Sequence, residues 1–166
     1  MLNTIYKRNP KAEVISIKAF QDVSNTKVDN IIKAIQLAIN EKAEIINMSF
    51  SAPINQENNK IIPWIQKALD QNIKVVAACG DDKADANKML PGCIAGVITV
   101  AASKNRVGNF NDNSNLGSCI DYITKAPSSS YAAALVSARL GYNKKSKLFK
   151  YFLLVNHKSN IKMTLK

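Results

Sequence analysis

Apolar residues along this chain fall into two alternating patterns. Short apolar runs rich in β-branched residues have the length and composition of β-strands, at residues 12–20, 44–49, 73–79 and 96–102. Between the first two runs, apolar side chains recur at helical spacing from Val28 to Ile39. Thr26 and Asp29 resemble a capping box at the start of this helix, and Pro63 suits the first turn of the next one.

This alternation of strands with helices of ten or more residues predicts an α/β fold, with a parallel β-sheet and helices on both faces. The ligand site of such a sheet lies at the carboxyl ends of its strands. Those ends carry NMSFSAP at residues 47–53 and CGDDKAD at residues 79–85. We therefore expect the chemistry of the protein at these two places.

The segment SSSYAAALVSARL, residues 128–140, changes abruptly from serines to small and apolar residues. Serine is a good cap for a helix start, and the alanines that follow allow close packing. The pattern by itself predicts a buried helix with a serine cap.

The formal net charge of +11 is concentrated towards the C-terminal end of the chain. All 12 acidic residues lie at or before Asp121, whereas nine of the 23 basic residues follow it. We therefore predict a folded part at residues 1–140 and a basic tail at residues 141–166. A basic tail can bind polyanions by counterion release, but it can equally be a solvated end, and we do not expect a nucleic-acid partner.

Metal, disulfide and membrane sites have little support in the sequence. An odd count of cysteines without metal-type spacing argues against a disulfide framework or a zinc site: Cys79, Cys93 and Cys119. Three nearby aspartates lack the pattern of an EF-hand calcium loop: Asp81, Asp82 and Asp85. The N-terminus has no signal-peptide pattern, and the apolar run at residues 148–155 is too short to span a bilayer. We expect no cofactor and no membrane partner, and the compartment stays open.

Four blocks of the chain, in this order, resemble segments of the subtilisin-like serine proteases, or subtilases. Residues 44–52, EIINMSFSA, resemble a strand and substrate-binding segment usually reading Asn-Met-Ser-Leu-Gly-Gly. Residues 73–81, IKVVAACGD, resemble Val-Val-Ala-Ala-Ala-Gly-Asn, whose asparagine is the family's oxyanion donor. GVITVAAS and NRVGNFND, within residues 96–112, resemble the block ending in Ser-Phe-Ser. SSSYAAALVSA, residues 128–138, resembles Gly-Thr-Ser-Met-Ala-Ala-Pro-His-Val-Ala-Gly, which bears the nucleophile.

This resemblance covers roughly residues 9–140 and implies a partial subtilisin-like peptidase domain that acts on peptides or proteins. It places the nucleophile at Ser130. A serine nucleophile needs a base, and the base needs an acidic group that orients it. In the family the aspartate and the histidine precede the serine, but residues 1–11 contain neither. The sole histidine, His157, follows Ser130, and we expect it to be an ordinary surface residue.

Further departures from the family's pattern concern the groups around the nucleophile. Asp81 stands at the position of the oxyanion asparagine, where an ionised carboxylate would repel the developing oxyanion and only a protonated one could donate. The resemblance places substrate binding at Ser49, Phe50 and Ser51, although Ser51 and Ala52 replace a glycine pair there. Calcium, which the family resemblance allows, has no motif in this chain.

Three hypotheses about the function of this chain stay open. The chain is a truncated subtilase that is inactive alone, or one half of a split protease whose complementary chain supplies the aspartate and the histidine. Alternatively it is a non-catalytic remnant that binds an extended peptide along the NMSFSAP segment, or a polyanion binder through its tail. In the family the missing region also supplies an interior strand, so we expect exposed apolar surface here. The family is often secreted, but no export signal is present.

Overall fold

The computed structural model describes residues 1–20, 26–105, 109–142 and 150–155 of the 166-residue chain. Its strands are β1 (Glu13–Lys18), β2 (Ile45–Met48), β3 (Ala52–Pro53), β4 (Lys74–Ala78), β5 (Met89–Leu90), β6 (Ile98–Ser103), β7 (Tyr122–Lys125) and β8 (Lys150–Val155). Six of them form one sheet in the order β1-β8-β2-β4-β6-β7. Every pairing in this sheet is parallel, as the sequence predicts. Strands β3 and β5 form a separate antiparallel ribbon.

Helices cover both faces of the main sheet. The α-helices are α1 (Leu2–Arg8), α2 (Val28–Asn40), α3 (Ile62–Asp70) and α4 (Ser129–Tyr142), and two 3-10 turns lie at Asn58–Ile61 and Ala86–Lys88. One buried cluster joins α2 and α3 to one face of the sheet, and a second joins α1 and α4 to the other. The predicted α/β fold with a doubly covered parallel sheet is therefore confirmed.

The central strands are buried on both sides because consecutive residues point to opposite faces. In β2, Ile46 and Met48 pack towards α2 and α3, whereas Ile45 packs towards α1 and α4. In β4, Val75 packs in the first cluster and Val76 in the second. A continuous apolar run is what such strands require, and this explains why residues 73–79 lack alternation.

Helix α4 lies close against the sheet because its residues are small. Ala132, Ala133, Ala134 and Ala138 are fully buried, and the helix packs across β2, β4 and β6. A helix apolar on most of its circumference belongs in a core. The predicted buried helix is thus present, and it begins at Ser129.

The start of α2 differs from the expected capping box. The N-cap is Lys27, without a side-chain cap hydrogen bond, and Asp29 lies in the first turn. The Thr26 hydroxyl instead donates to the carbonyl of Ala19, just after β1. A hydroxyl bonds to whichever backbone group is nearest, so the threonine connects the end of β1 to the start of α2.

The segment predicted as a basic tail contributes a strand to the sheet. Residues 150–155 form β8 in its interior, paired with β1 on one side and β2 on the other. The sequence predicts exposed apolar surface because the interior strand that the family has is missing, whereas in the structure β8 occupies an interior position of the sheet. The rest of the predicted tail beyond Tyr142, including His157, lies outside the described residues. None of the helices in the described part of the chain has the length and apolar character needed to cross a bilayer.

Candidate active site

Ser130 lies in the first turn of α4, beside the carboxyl end of β2. Its hydroxyl donates a hydrogen bond of 3.0 Å to the carbonyl oxygen of Ser49, and the Ser49 hydroxyl donates one of 3.1 Å to the carbonyl of Ser130. Both residues are partly exposed. These two reciprocal hydrogen bonds hold α4 against β2 at the carboxyl end of the strands, where the sequence predicts the chemistry.

A buried chain of polar side chains continues from this pair into the core. The Asn47 side-chain N–H donates to the Ser49 hydroxyl over 2.7 Å, and the Asn47 side-chain oxygen Oδ1 accepts from the Ser137 hydroxyl over 3.0 Å. Asn47 and Ser137 have no exposed surface. Since every buried side-chain polar atom here has a partner, these hydrogen bonds hold Ser49 and the first three turns of α4 in one arrangement.

Asp81 follows β4 and reaches the same helix end. Its two carboxylate oxygens accept from the backbone N–H of Ser129 over 3.1 Å each, and one of them accepts from the Ser129 hydroxyl over 2.7 Å. A carboxylate at a helix N-terminus is stabilised by the free N–H groups and the positive end of the helix dipole. In every one of these bonds Asp81 is the acceptor, and its carboxylate caps the start of α4.

Among the described residues, no side chain that could act as a catalytic base accepts a hydrogen bond from the Ser130 hydroxyl. The Ser130 proton is directed at a backbone carbonyl, which is too weak a base to generate an alkoxide. The nearest predicted site carboxylate, Asp81, binds the neighbouring Ser129 instead. His157, the sole histidine of the chain, is outside the described residues.

The predicted substrate-binding residues next to Ser49 have structural contacts of their own. The Phe50 ring packs edge-on against Phe20, with 5.3 Å between ring centroids, and belongs to the margin of the core. Ser51 lies against Gly80, which has a φ of 100°. That left-handed conformation favours glycine, and a side chain at Gly80 would overlap Ser51. The structure leaves the substrate-binding role of these residues a prediction.

Asn115 organises the loop that carries Asp81, and sequence reasoning missed it. Its side-chain oxygen accepts from the backbone N–H groups of Asp82 and Ala84, both over 2.9 Å, and its amide donates to the carbonyl of Cys79 over 2.9 Å. Asn115 is fully buried. In the sequence it is one of several asparagines in a polar loop, and no local signal separates it from the others.

Cys79 ends the strand below this loop as a buried thiol. Its Sγ lies 3.3 Å from the Gly80 carbonyl and 3.5 Å from the Ser114 hydroxyl. Burial raises the pKa of the Cys79 thiol, the charge of Asp81 raises it further, and the hydrogen bond with Ser114 opposes both effects. The thiol therefore stays protonated at neutral pH and is a poor nucleophile.

An open cavity of about 860 Å³ lies on the outer side of Asp81. Ser128 and Lys125 contribute to its walls, together with Lys104, which pairs with Asp112. Ser130 is not among the lining residues, so this cavity lies beside the nucleophile position and does not contain it. Among the described residues, no three His, Cys, Asp or Glu side chains are close enough to hold a metal ion.

Comparison with known proteins gives a consistent result at the level of the family. The sequence profile of the Subtilase family matches residues 3–148. An intracellular serine protease of Paenibacillus polymyxa is 28% identical over 134 residues, which cover 74% of this chain and 40% of that protein. A subtilisin-like protease of Coccidioides posadasii is 32% identical over 117 residues, or 67% of this chain and 28% of that one. The chain thus spans less than half the length of these curated relatives.

Solved structures show the same fold at lower identity. A lanthipeptide protease superposes with a TM-score of 0.69 at 17% identity, covering 82% of this chain and 57% of that one. The prenylagaramide maturation protease PagA gives a TM-score of 0.62 at 22% identity, covering 75% of this chain and 54% of that one. These similarities support the arrangement of sheet and helices.

Replacement of Asn115 should loosen the loop after β4. Asn115→Ala removes three side-chain hydrogen bonds and leaves three backbone groups without these partners, at a cost of about 1 kcal/mol each. We expect the free energy of unfolding to fall by about 3 kcal/mol in urea titrations. Asn113 is exposed in the same loop, and Asn113→Ala is the control. It should change the free energy of unfolding by less than about 0.5 kcal/mol. A loss below about 1 kcal/mol in Asn115→Ala would show that the loop does not depend on this side chain.

The raised pKa of Cys79 makes stability depend on pH in the alkaline range. The folded state keeps the thiol protonated above the pH at which the unfolded chain loses its proton, about 8.5. The stabilisation is therefore complete below that pH and declines as the pH rises towards the folded pKa. We expect the stability of wild type relative to Cys79→Ala to be constant near neutral pH and to fall as the pH rises above about 8.5. Cys93→Ala removes a less buried thiol, so the stability of wild type relative to this variant should depend less on pH. Equal pH dependence of the two stability differences would contradict the raised pKa of Cys79.

Proposed function

The chain belongs to the subtilase family, and from this premise we propose that it is a serine endopeptidase relative whose catalytic site is incomplete within these 166 residues. Hydrolysis would proceed by acyl transfer through Ser130, with peptides or proteins as substrates, once a base and its orienting acid are supplied. By itself the chain would not cleave peptide bonds. The observation that carries this proposal is the hydrogen bond from the Ser130 hydroxyl to the Ser49 carbonyl, where a catalytic base would be needed.

The position of Ser130 supports its role as the acyl-accepting residue. It is partly exposed at the N-terminal end of α4, where free N–H groups and the helix dipole favour a negative charge. Such a location stabilises the oxyanion formed when a serine attacks a carbonyl. The Ser49 and Asn47 contacts hold the residue in place.

Two features limit catalysis by this chain alone. First, removal of the Ser130 proton needs an imidazole or comparable base, and the described residues hold none beside it. Second, Asp81 presents acceptor oxygens where the family has a donor, and loss of one oxyanion donor costs about 100- to 1,000-fold in rate. A complementary chain that supplies the aspartate and the histidine would remedy the first deficit but not the second.

A second candidate function is the binding of an extended peptide without cleavage. Phe50 and Ser51 lie between β2 and β3 and belong to neither strand. Backbone groups in such a segment can pair with an added strand, a mode that needs no catalytic residue. On a peptide array we expect sequence-dependent binding that is weakened by Ser51→Pro, which removes one backbone donor; uniform or absent binding would reject this function.

Active-site labelling tests the proposal directly. A fluorophosphonate reacts with a serine only when a base activates it, so we expect no mass increase in intact-mass spectra of folded wild type. Ser130→Ala and the neighbouring Ser129→Ala serve as matched controls. Stoichiometric labelling that is lost in Ser130→Ala and kept in Ser129→Ala would overturn the proposal, and loss in His157→Ala would then identify the base.

A further inference from the structure

The position of β8 in the sheet is unusual for the last described strand of the chain. It pairs with β1 over all six of its residues, from Glu13 beside Lys150 to Lys18 beside Val155. On its other side, Tyr151 to Leu154 lie beside Ile45 to Met48 of β2. Both pairings are parallel, and because β8 has a partner on each side it is an interior strand, although it follows every other element that the structure describes.

Strand β1 is connected to the sheet only through β8 within the described residues. The order β1-β8-β2 means that β1 has no other strand partner and that β1 and β2 do not pair. Adjacent strands are about 4.8 Å apart, so β1 and β2 lie about 10 Å apart, or two strand spacings, and the gap between them has room for one strand. Without β8, both would present unpaired backbone groups to this gap.

Unpaired groups in this gap would be costly because β2 is buried along its whole length. Each buried backbone donor or acceptor without a partner loses its hydrogen bonds to water and gains none in return. A six-residue extended segment satisfies both edges at once, and interior strands of doubly covered parallel sheets are continuous apolar runs. Residues 151–155, YFLLV, have this composition.

We infer that the gap between β1 and β2 is a binding site for one extended apolar segment that runs parallel to both strands, and that β8 is its resident occupant. The occupant is recognised by backbone pairing on two sides, in the manner of strand addition. A separate peptide of the β8 sequence therefore binds in this gap whenever the chain's own β8 is unable to pair. The strand site does not rest on the proposed function.

The carboxyl end of the gap opens beside the candidate active site. Leu154 of β8 lies beside Met48, so the residue after an occupant's last paired position comes next to Ser49. Ser49 is the residue whose carbonyl accepts the Ser130 hydroxyl. A complementary strand that brings a catalytic group by this route has to displace β8.

A proline scan of β8 in the full chain tests the inference. Leu153→Pro removes a backbone donor in the middle of the strand, whereas Lys150→Pro changes the first strand residue, where proline is tolerated. The probe is a fluorescein-labelled peptide of residues 147–158, KLFKYFLLVNHK, followed by fluorescence anisotropy. The chain's own β8 is tethered beside the gap and competes with the peptide at an effective concentration in the millimolar range. We therefore expect Leu153→Pro, in which β8 pairs poorly, to bind the peptide at least about tenfold more tightly than wild type does. Lys150→Pro should bind it as weakly as wild type.

A peptide with proline in place of Leu153 is the matched ligand control and should not bind. Equal affinity of folded Leu153→Pro and wild type, or equal binding of the two peptides, would overturn the inference. Hydrogen exchange read by mass spectrometry supplies a second measurement. In Leu153→Pro the amides of β1 should lose protection from exchange and regain it when the peptide is added. The protection of the β4 amides should not change.

Wild-type exchange decides the question if Leu153→Pro does not fold. Because β1 depends on β8, amides of these two strands should exchange through one shared opening, faster than amides of β4 and β6. Protection of β1 that persists while β8 exchanges would show that β1 is held to the sheet without β8, and the inference would fail.

Discussion

Backbone hydrogen bonding in a sheet that is covered on both faces is the constraint on which this structure depends. Water cannot reach the central strands, so each buried N–H and C=O group needs a partner from the chain itself. The requirement explains why a strand from the far end of the sequence lies between β1 and β2. It also explains why the Asn115 side chain is buried, since it forms hydrogen bonds with three backbone groups where the chain leaves β4.

The same requirement shapes the end of α4. The first N–H groups of a helix have no partner within it, and at Ser129 the Asp81 carboxylate takes this place. The arrangement stabilises the helix start but uses the oxygen atoms of a residue that the sequence resemblance places at the position of the family's oxyanion donor. Capping and oxyanion binding make opposite demands on this position, because one needs an acceptor and the other a donor. In this chain the structural demand is the one that is met.

Structural hydrogen bonds are sufficient to account for a serine at position 130. Its hydroxyl and carbonyl both bond to Ser49, and Asn47 and Ser137 extend the contact into the core. Serine at this site therefore has a structural use that does not require catalysis. The family relationship thus accounts for the fold, whereas activity would depend on groups that come within hydrogen-bonding distance of a nucleophile.

The sequence by itself determined β1, β2, β4 and β6, the helices α2, α3 and α4, and the end of the parallel sheet at which residues 47–53 and 79–85 lie, because these follow from local periodicity and from the direction of strands in a parallel sheet. The expectation that Ser130 belongs to a site came from the resemblance to the subtilases and not from periodicity. Tertiary structure alone decided the partners. Ser49 and Ser130 are 81 positions apart, Asp81 and Ser129 are 48 apart, and nothing in their local sequence states which oxygen accepts which proton. The insertion of β8 was hidden for the same reason: an apolar run flanked by lysines resembles a tail until the gap that it fills is known. At Thr26 the local capping signal was present, but a carbonyl brought close by the end of β1 competed for the hydroxyl.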